Sequence, residues 1–236
     1  MENLTLITYT HNKASDIHEP YFNRVEKYFN IDKHIVLCNV NLSYPGLKMS
    51  IYNDDNDKYY EQMIDALKMV DTDYIIYSQE DYILFDYVNK FKIKNLINVL
   101  ENDNEISFIR LINSGINFKK VDYNDELFYL DKNNDYYFST QITLWKTKDL
   151  IEMFETSKVE TIWDEPLNSK FLMELGKVGL CVKEKGDKVG GHYNSSIYPY
   201  IATAIVKGKW NYSEYKEDLD LVFNEFGINK EIRGVR

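Results

Sequence analysis

A chain of 236 residues that is 44% hydrophobic, 15% aromatic and 28% charged has an ordinary globular composition, which excludes collagenous and disordered classes. Its 28 basic residues stand against 38 acidic ones, a formal charge of -10, so no basic stripe is expected to neutralise a phosphate backbone and nucleic acid is not an expected partner. Cys38 and Cys181 have no C-x-x-C neighbour, which argues against a disulfide framework or a structural zinc and fits a reducing, cytoplasmic setting.

Residues 1–10 lack a basic region and a long apolar run, so they read as a first strand over 4–8 rather than an export signal. The polar loop Tyr9-Thr10-His11-Asn12 follows, and Pro20 opens an amphipathic helix carrying Phe22, Val25 and Phe29. A second buried strand covers 34–39, and Ser43-Tyr44-Pro45-Gly46 supplies turn chemistry. Asp57 is expected to cap a helix over 58–70 whose apolar face is Tyr59, Met63, Ala66, Leu67 and Val70. The strand at 74–77, a helix through Ile93, Leu96, Ile97 and Leu100, and a strand at 106–112 continue a βα alternation that builds a mostly parallel sheet flanked by helices. The second half is less regular. Strands are expected at 128–130, 138–145 and 178–182, helices after Thr147 and Pro166, a charged loop over 183–191, and a last helix over 213–226 closed by Gly227. No membrane-length apolar run, internal repeat or Pro/Gly/Ser-rich joint interrupts the chain, so a single domain over 1–236 is expected.

The sharpest chemical feature is Ser78-Gln79-Glu80-Asp81-Tyr82, two adjacent acids at the carboxyl end of a buried strand, where open α/β sheets place their ligands. Carboxylate oxygens there suit Mg2+ or Mn2+ bridging the phosphates of a nucleotide; a solvated strand end is the plainer alternative. His192, in Gly190-Gly191-His192-Tyr193-Asn194, could complete such a metal site with an imidazole nitrogen, and glycines permit a close backbone approach. Trp163-Asp164-Glu165-Pro166 sets two acids at the start of a helix: either ordinary caps, or a general base toward an acceptor hydroxyl beside an indole face suited to a sugar. Spacing does not choose between Asp164 and Glu165. Arg110, within a strand, is a cation for a phosphate or, slightly favoured, for an acidic neighbour.

Together these features resemble small GT-A fold glycosyltransferases of viral and bacterial type: Thr8-Tyr9-Thr10-His11 after the first strand, an acidic strand end, a later acid before a helix, and a C-terminal histidine. The similar segments, 74–85, 138–145, 163–166 and 198–215, the last with its run from Ala204 to Asn211, span most of the chain. The resemblance implies a single-domain GT-A, Rossmann-like fold and a nucleotide-sugar-dependent glycosyltransferase with a glycan acceptor. It implies that Asp81, matching the last acid of the D-x-D motif, binds Mn2+ or Mg2+ with Glu80 beside it, although Gln79 stands at the first position. It further implies that Thr8, Tyr9, Thr10 and His11, with Asn53, Asp54 and Asp55, line the nucleoside pocket and that His192 approaches the metal or diphosphate. For an inverting enzyme, Asp164 or Glu165 takes the acceptor proton. Lys207, Lys209 and Trp210 are donor-phosphate or acceptor contacts, or an ordinary basic-aromatic turn. Two alternatives stand beside this reading: a nucleotidyltransferase, although residues 8–13 lack a glycine- and Arg/Lys-rich phosphate loop, and a catalytically silent carbohydrate-binding protein.

Overall fold

The computed structural model describes residues 1–54, 56–113 and 119–236, with Glu165 and Pro166 described in their backbone alone. Its frame is a nine-stranded sheet in the order β3-β2-β1-β4-β8-β5-β9-β7-β6. These strands are β1 (Leu4–Tyr9), β2 (His34–Cys38), β3 (Leu47–Ile51), β4 (Tyr74–Gln79), β5 (Ile106–Arg110), β6 (Lys119–Lys120), β7 (Leu127–Tyr129), β8 (Thr143–Lys146) and β9 (Val178–Val182). β1, β2, β3 and β4 pair in parallel, as do β5 and β9; β8 enters antiparallel between β4 and β5.

Alternation along the strands decides which layer each side chain joins. Leu4 and Leu6 of β1, with Tyr74 and Ile76 of β4, face one core beneath α1 (Ser15–Tyr28) and α3 (Lys90–Asn102). Ile7, Ile75 and Tyr77 face the other, beneath α2 (Tyr59–Leu67), α4 (Thr147–Ser157) and α5 (Glu165–Glu174). Both faces of the central strands are covered, which is why their sequences are continuous apolar runs. A third cluster joins α6 (Tyr212–Phe226) to α1 and to the segment after β4: Leu219, Val222 and Phe223 pack with Ile17, Ile83, Ile201 and Trp210. Gly227, at φ 63°, closes α6 in the left-handed conformation that its lack of a Cβ permits. None of the helices among the described residues is long and apolar enough to cross a membrane.

Several elements depart from the sequence reading. The first helix begins at Ser15, after a 3₁₀ turn at Asn12–Ala14, and holds Pro20 inside it, because buried Ile17 and His18 extend the packed face toward the amino end. Asp57 does not cap α2: its carboxylate accepts the Asn53 N–H, and Lys58 precedes the helix with its N–H given to Glu61. Residues 138–142 form bends rather than strand, held by Ser169, whose hydroxyl accepts the Phe138 N–H at 2.8 Å. Strand β3 and the hairpins β10 (Lys188–Val189)–β11 (His192–Tyr193) and β12 (Ile205–Val206)–β13 (Lys209–Trp210) were too short or too polar to carry a strand signal.

Candidate functional site

From β1 the sheet grows outward through β2 on one side and from β4 through β8 and β5 on the other, so β1 and β4 flank a point where the strand order reverses. The loops leaving their carboxyl ends must diverge, and a cleft of about 420 Å³ opens there. Its lining includes Tyr9, Thr10 and His11 at the end of β1, Gln79, Glu80 and Asp81 at the end of β4, Trp163, and Lys207 with Gly208.

The β1 side is rigidly built. Tyr9 lies parallel to Tyr52 with ring centroids 5.7 Å apart, and its hydroxyl donates to Gln62 Oε1 at 2.9 Å. Tyr52 in turn donates to the Thr10 carbonyl at 2.7 Å. His11 Nδ1 accepts the Lys13 N–H at 3.0 Å, so Nε2 carries the ring proton and donates to Asp54 Oδ2 at 2.7 Å; Asn39 Nδ2 donates to the same oxygen.

The acidic pair occupies the β4 side. Burial pushes the Glu80 carboxyl well above the usual carboxylate range, against a Thr10 hydroxyl and the Arg233 charge that pull it down. Asp81 is raised by burial and then by the Glu80 charge, while the Ile205 N–H, 3.4 Å from Oδ2, and Arg233 act the other way. Among the described residues no group of three or more His, Cys, Asp or Glu converges as metal ligands. Two adjacent desolvated carboxylates instead form a donor set that suits a hard divalent cation completing its shell with ligand phosphates and water.

Across the cleft, Gln141 Oε1 accepts the Tyr200 hydroxyl at 2.7 Å and its Nε2 donates to Tyr82 and the Ala202 carbonyl, fixing an amide in the wall. Trp163 is 86% exposed, an apolar face held out by the turn before α5. At the opposite lip, Lys207 (φ 51°) and Gly208 (φ 77°) both adopt left-handed conformations in the two-residue turn between β12 and β13, the geometry of a type I′ hairpin.

The expected site residues are thus partly gathered. Tyr9, Thr10, His11, Glu80, Asp81 and Trp163 line one cleft, with Asp54 held at its edge by His11. Thr8 does not: it is fully buried, bonded to Tyr21 and His34 at 2.7 and 2.8 Å, because its side chain points into the sheet layer below. Asn53 uses its backbone to close the turn before α2 with Asp57, and Asp55 lies outside the described residues. Arg110 is buried on β5, its Nη2 donates to the Tyr136 and Tyr137 carbonyls, and it is not among the described residues that line the cleft. His192 sits on the β10–β11 hairpin, where burial lowers its pKa and the charges acting on it are those of Glu214 and Arg110, not those of Glu80 and Asp81. Asp164 turns back, its Oδ2 accepting the Thr161 N–H and hydroxyl at 3.3 and 3.1 Å; the Glu165 side chain lies outside the described residues. Sequence reading missed Gln141, Tyr200 and Arg233, none of which carries a local motif.

No protein-family model matches this sequence, and no curated protein matches it. Among solved structures it is similar to S. aureus TarS 1–349 in complex with UDP-GlcNAc, at 14% identity over 98% of this chain and 69% of that one, with a TM-score of 0.53. The longer S. aureus TarS gives the same identity and TM-score over 98% of this chain and 41% of that one. The mannosyltransferase PcManGT from Pyrobaculum calidifontis, in complex with GDP-Man and Mn2+, is 12% identical over 87% of this chain and 58% of that one, with a TM-score of 0.49. At such identities the likeness is one of fold: a GT-A-like, Rossmann-type sheet, as the sequence resemblance implies.

Proposed function

We propose that the chain is a glycosyltransferase that moves a sugar from a nucleotide-sugar donor to a carbohydrate acceptor with inversion at the anomeric carbon. The observation that carries this reading is the meeting, in one cleft at the strand-order reversal, of the Glu80–Asp81 carboxylates with the exposed face of Trp163. A fold-level likeness to a protein solved with UDP-GlcNAc supports it.

In this reading Tyr9 and His11 form the wall for the nucleoside, the first through a ring already braced by Tyr52 and Gln62. Asp81, with Glu80 beside it, would hold Mn2+ or Mg2+, which when bound offsets negative charge on the leaving diphosphate. Lys207 presents a cation at the same lip. Trp163 offers an apolar face to the acceptor sugar. Asp164 or Glu165 takes the proton of the acceptor hydroxyl as its oxygen bonds to the anomeric carbon, and the pair of electrons in the old C–O bond leaves with the nucleoside diphosphate.

The test is a thermal-shift panel of the uridine, guanosine, adenosine and cytidine diphosphates and their sugar conjugates, with and without Mn2+, since a ligand selective for the folded state raises its apparent stability. A metal-dependent shift by one nucleotide, followed by sugar transfer or slow hydrolysis of its conjugate, is the expected result. A shift by free glycans with none by any nucleotide would replace this reading with that of a carbohydrate-binding protein.

A further inference from the structure

Arg233 belongs to none of the sequence motifs, yet its guanidinium bonds Gly208, a residue of the cleft lining. Its Nε donates to Asp16 Oδ2 at 2.8 Å, and Nη2 donates to Asp16 Oδ1, a bidentate pair. Nη2 also donates to the Lys13 carbonyl at 3.3 Å, and Nη1 donates to the Gly208 carbonyl at 3.2 Å. Its guanidinium carbon lies 5.7 Å from the centroid of Trp210, which is fully buried against Phe223. Four of the five N–H groups of a guanidinium are therefore committed to protein acceptors, and the side chain is only 13% exposed. Such a group is a poor ligand for an incoming phosphate and a good strut.

The acceptors it joins lie on two segments that both contribute to the lining of one cleft. Lys13 and Asp16 continue the segment that carries Thr10 and His11, whereas Gly208 is the second residue of the left-handed turn that carries Lys207. The base of that hairpin is held by buried Trp210, by the Trp210 N–H to the Gly234 carbonyl and by the Ile205 N–H facing Asp81, but β12 and β13 are only two residues each, and at the tip Arg233 supplies the bond to the Gly208 carbonyl. We infer that Arg233 is a positioning residue of the nucleotide pocket, a strut that pins the Lys207–Gly208 turn against the segment after β1 and thereby sets the width of the cleft. This rests on the nucleotide-sugar reading for its ligand, but the strut itself is a property of the fold.

Two readouts separate them. Hydrogen exchange measured by mass spectrometry on the full chain, for the wild type, R233Q and R233K, reports the turn without any nucleotide. In both variants the amides of residues 205–210 are expected to exchange at least roughly tenfold faster while those of β1 and β4 keep their protection. Lysine retains the charge and can still meet Asp16, but it cannot span Asp16, Lys13 and Gly208 at once, so R233K must behave like R233Q. Calorimetric titration with the nucleoside diphosphate that shifts the wild type, in the presence of Mn2+, is expected to show affinity weakened about tenfold or more in both variants. Wild-type exchange in R233Q, or wild-type exchange and affinity in R233K, would overturn the strut. A wild type that binds none of the four diphosphates overturns the nucleotide reading instead, and the exchange data alone then decide the strut.

Discussion

Two polar tiers lie one above the other along β1 and β4, and they are built on opposite terms. In the lower tier His34, Thr8, Tyr21 and Ser78 form a continuous chain in which Tyr21 donates to Ser78 at 2.9 Å and Ser78 to the Gln79 carbonyl. Each hydroxyl has one proton, so Thr8 must donate to Tyr21 and the His34 Nε2–H to Thr8, over 2.7 and 2.8 Å. Every member is buried and every member is partnered. In the upper tier, one and two residues beyond the end of β4, Glu80 is raised by burial, and Asp81 by burial and then by the Glu80 charge, at a cleft. A fully satisfied network specifies the fold, whereas an unneutralised acidic pair costs stability and awaits a counter-charge. In the proposed reading it is the upper tier that takes the ligand.

The sharpest way to break this contrast is Asp81→Asn. Loss of the carboxylate should lower turnover by about a thousandfold or more while leaving the melting temperature equal or higher, because a desolvated like-charge contact is removed. Steady-state kinetics beside calorimetry read both, and a clear fall in stability would sink the assignment of Asp81 to the ligand. Thr8→Val should do the reverse. It leaves His34 and Tyr21 without their shared partner and should cost about 1–3 kcal/mol in urea unfolding, with nucleotide affinity within about twofold of the wild type.

The tiers should also respond to pH with opposite sign. Burial lowers the His34 pKa to about 3, so between that value and the unfolded-state value of about 6.5 the unfolded chain binds the extra proton. The His34 contribution is therefore fully present above pH 6.5 and lost as pH falls, by up to about 1.4 kcal/mol per unit. Glu80 and Asp81 are raised, so the folded chain binds more protons than the unfolded one and their contribution is lost as pH rises. Unfolding titrations of D81N and His34→Gln should flatten the two limbs separately. The smallest stability effect is expected at Trp163: W163A should change stability by less than about 0.5 kcal/mol, as its side chain is 86% exposed, yet raise the KM for the acceptor.

Much of the lower tier's scaffold was legible in the sequence. The apolar runs of β1, β2 and β4, and Gly227 at the end of α6, are local signals, and the position of Glu80 and Asp81 follows from a strand that stops at Gln79. What was not legible depends on how distant segments meet. Thr8 belongs to the same tetrapeptide as Tyr9 and His11, but the alternation of a strand turns it to the network below. His192 has the glycine neighbours of a ligand loop, yet its hairpin folds beside Glu214 and Arg110. Arg233 and Asp16 are 217 residues apart, and no spacing rule connects them.

That last separation bears on how the protein is made. The β1 and β4 strands can pair as soon as residue 79 is available, and the parallel half of the sheet can form early on the nascent chain. The Lys207–Gly208 turn, in contrast, is tied to the segment after β1 by hydrogen bonds from a residue synthesised more than 200 positions after that segment. Until that arginine has been synthesised, the chain has the residues that line the cleft but not the strut across two of its segments. A nascent chain that ends short of Arg233 is therefore expected to bind nucleotide about as weakly as R233Q, and the contact with Asp16 closes a loop of 217 residues, a separation that slows its formation.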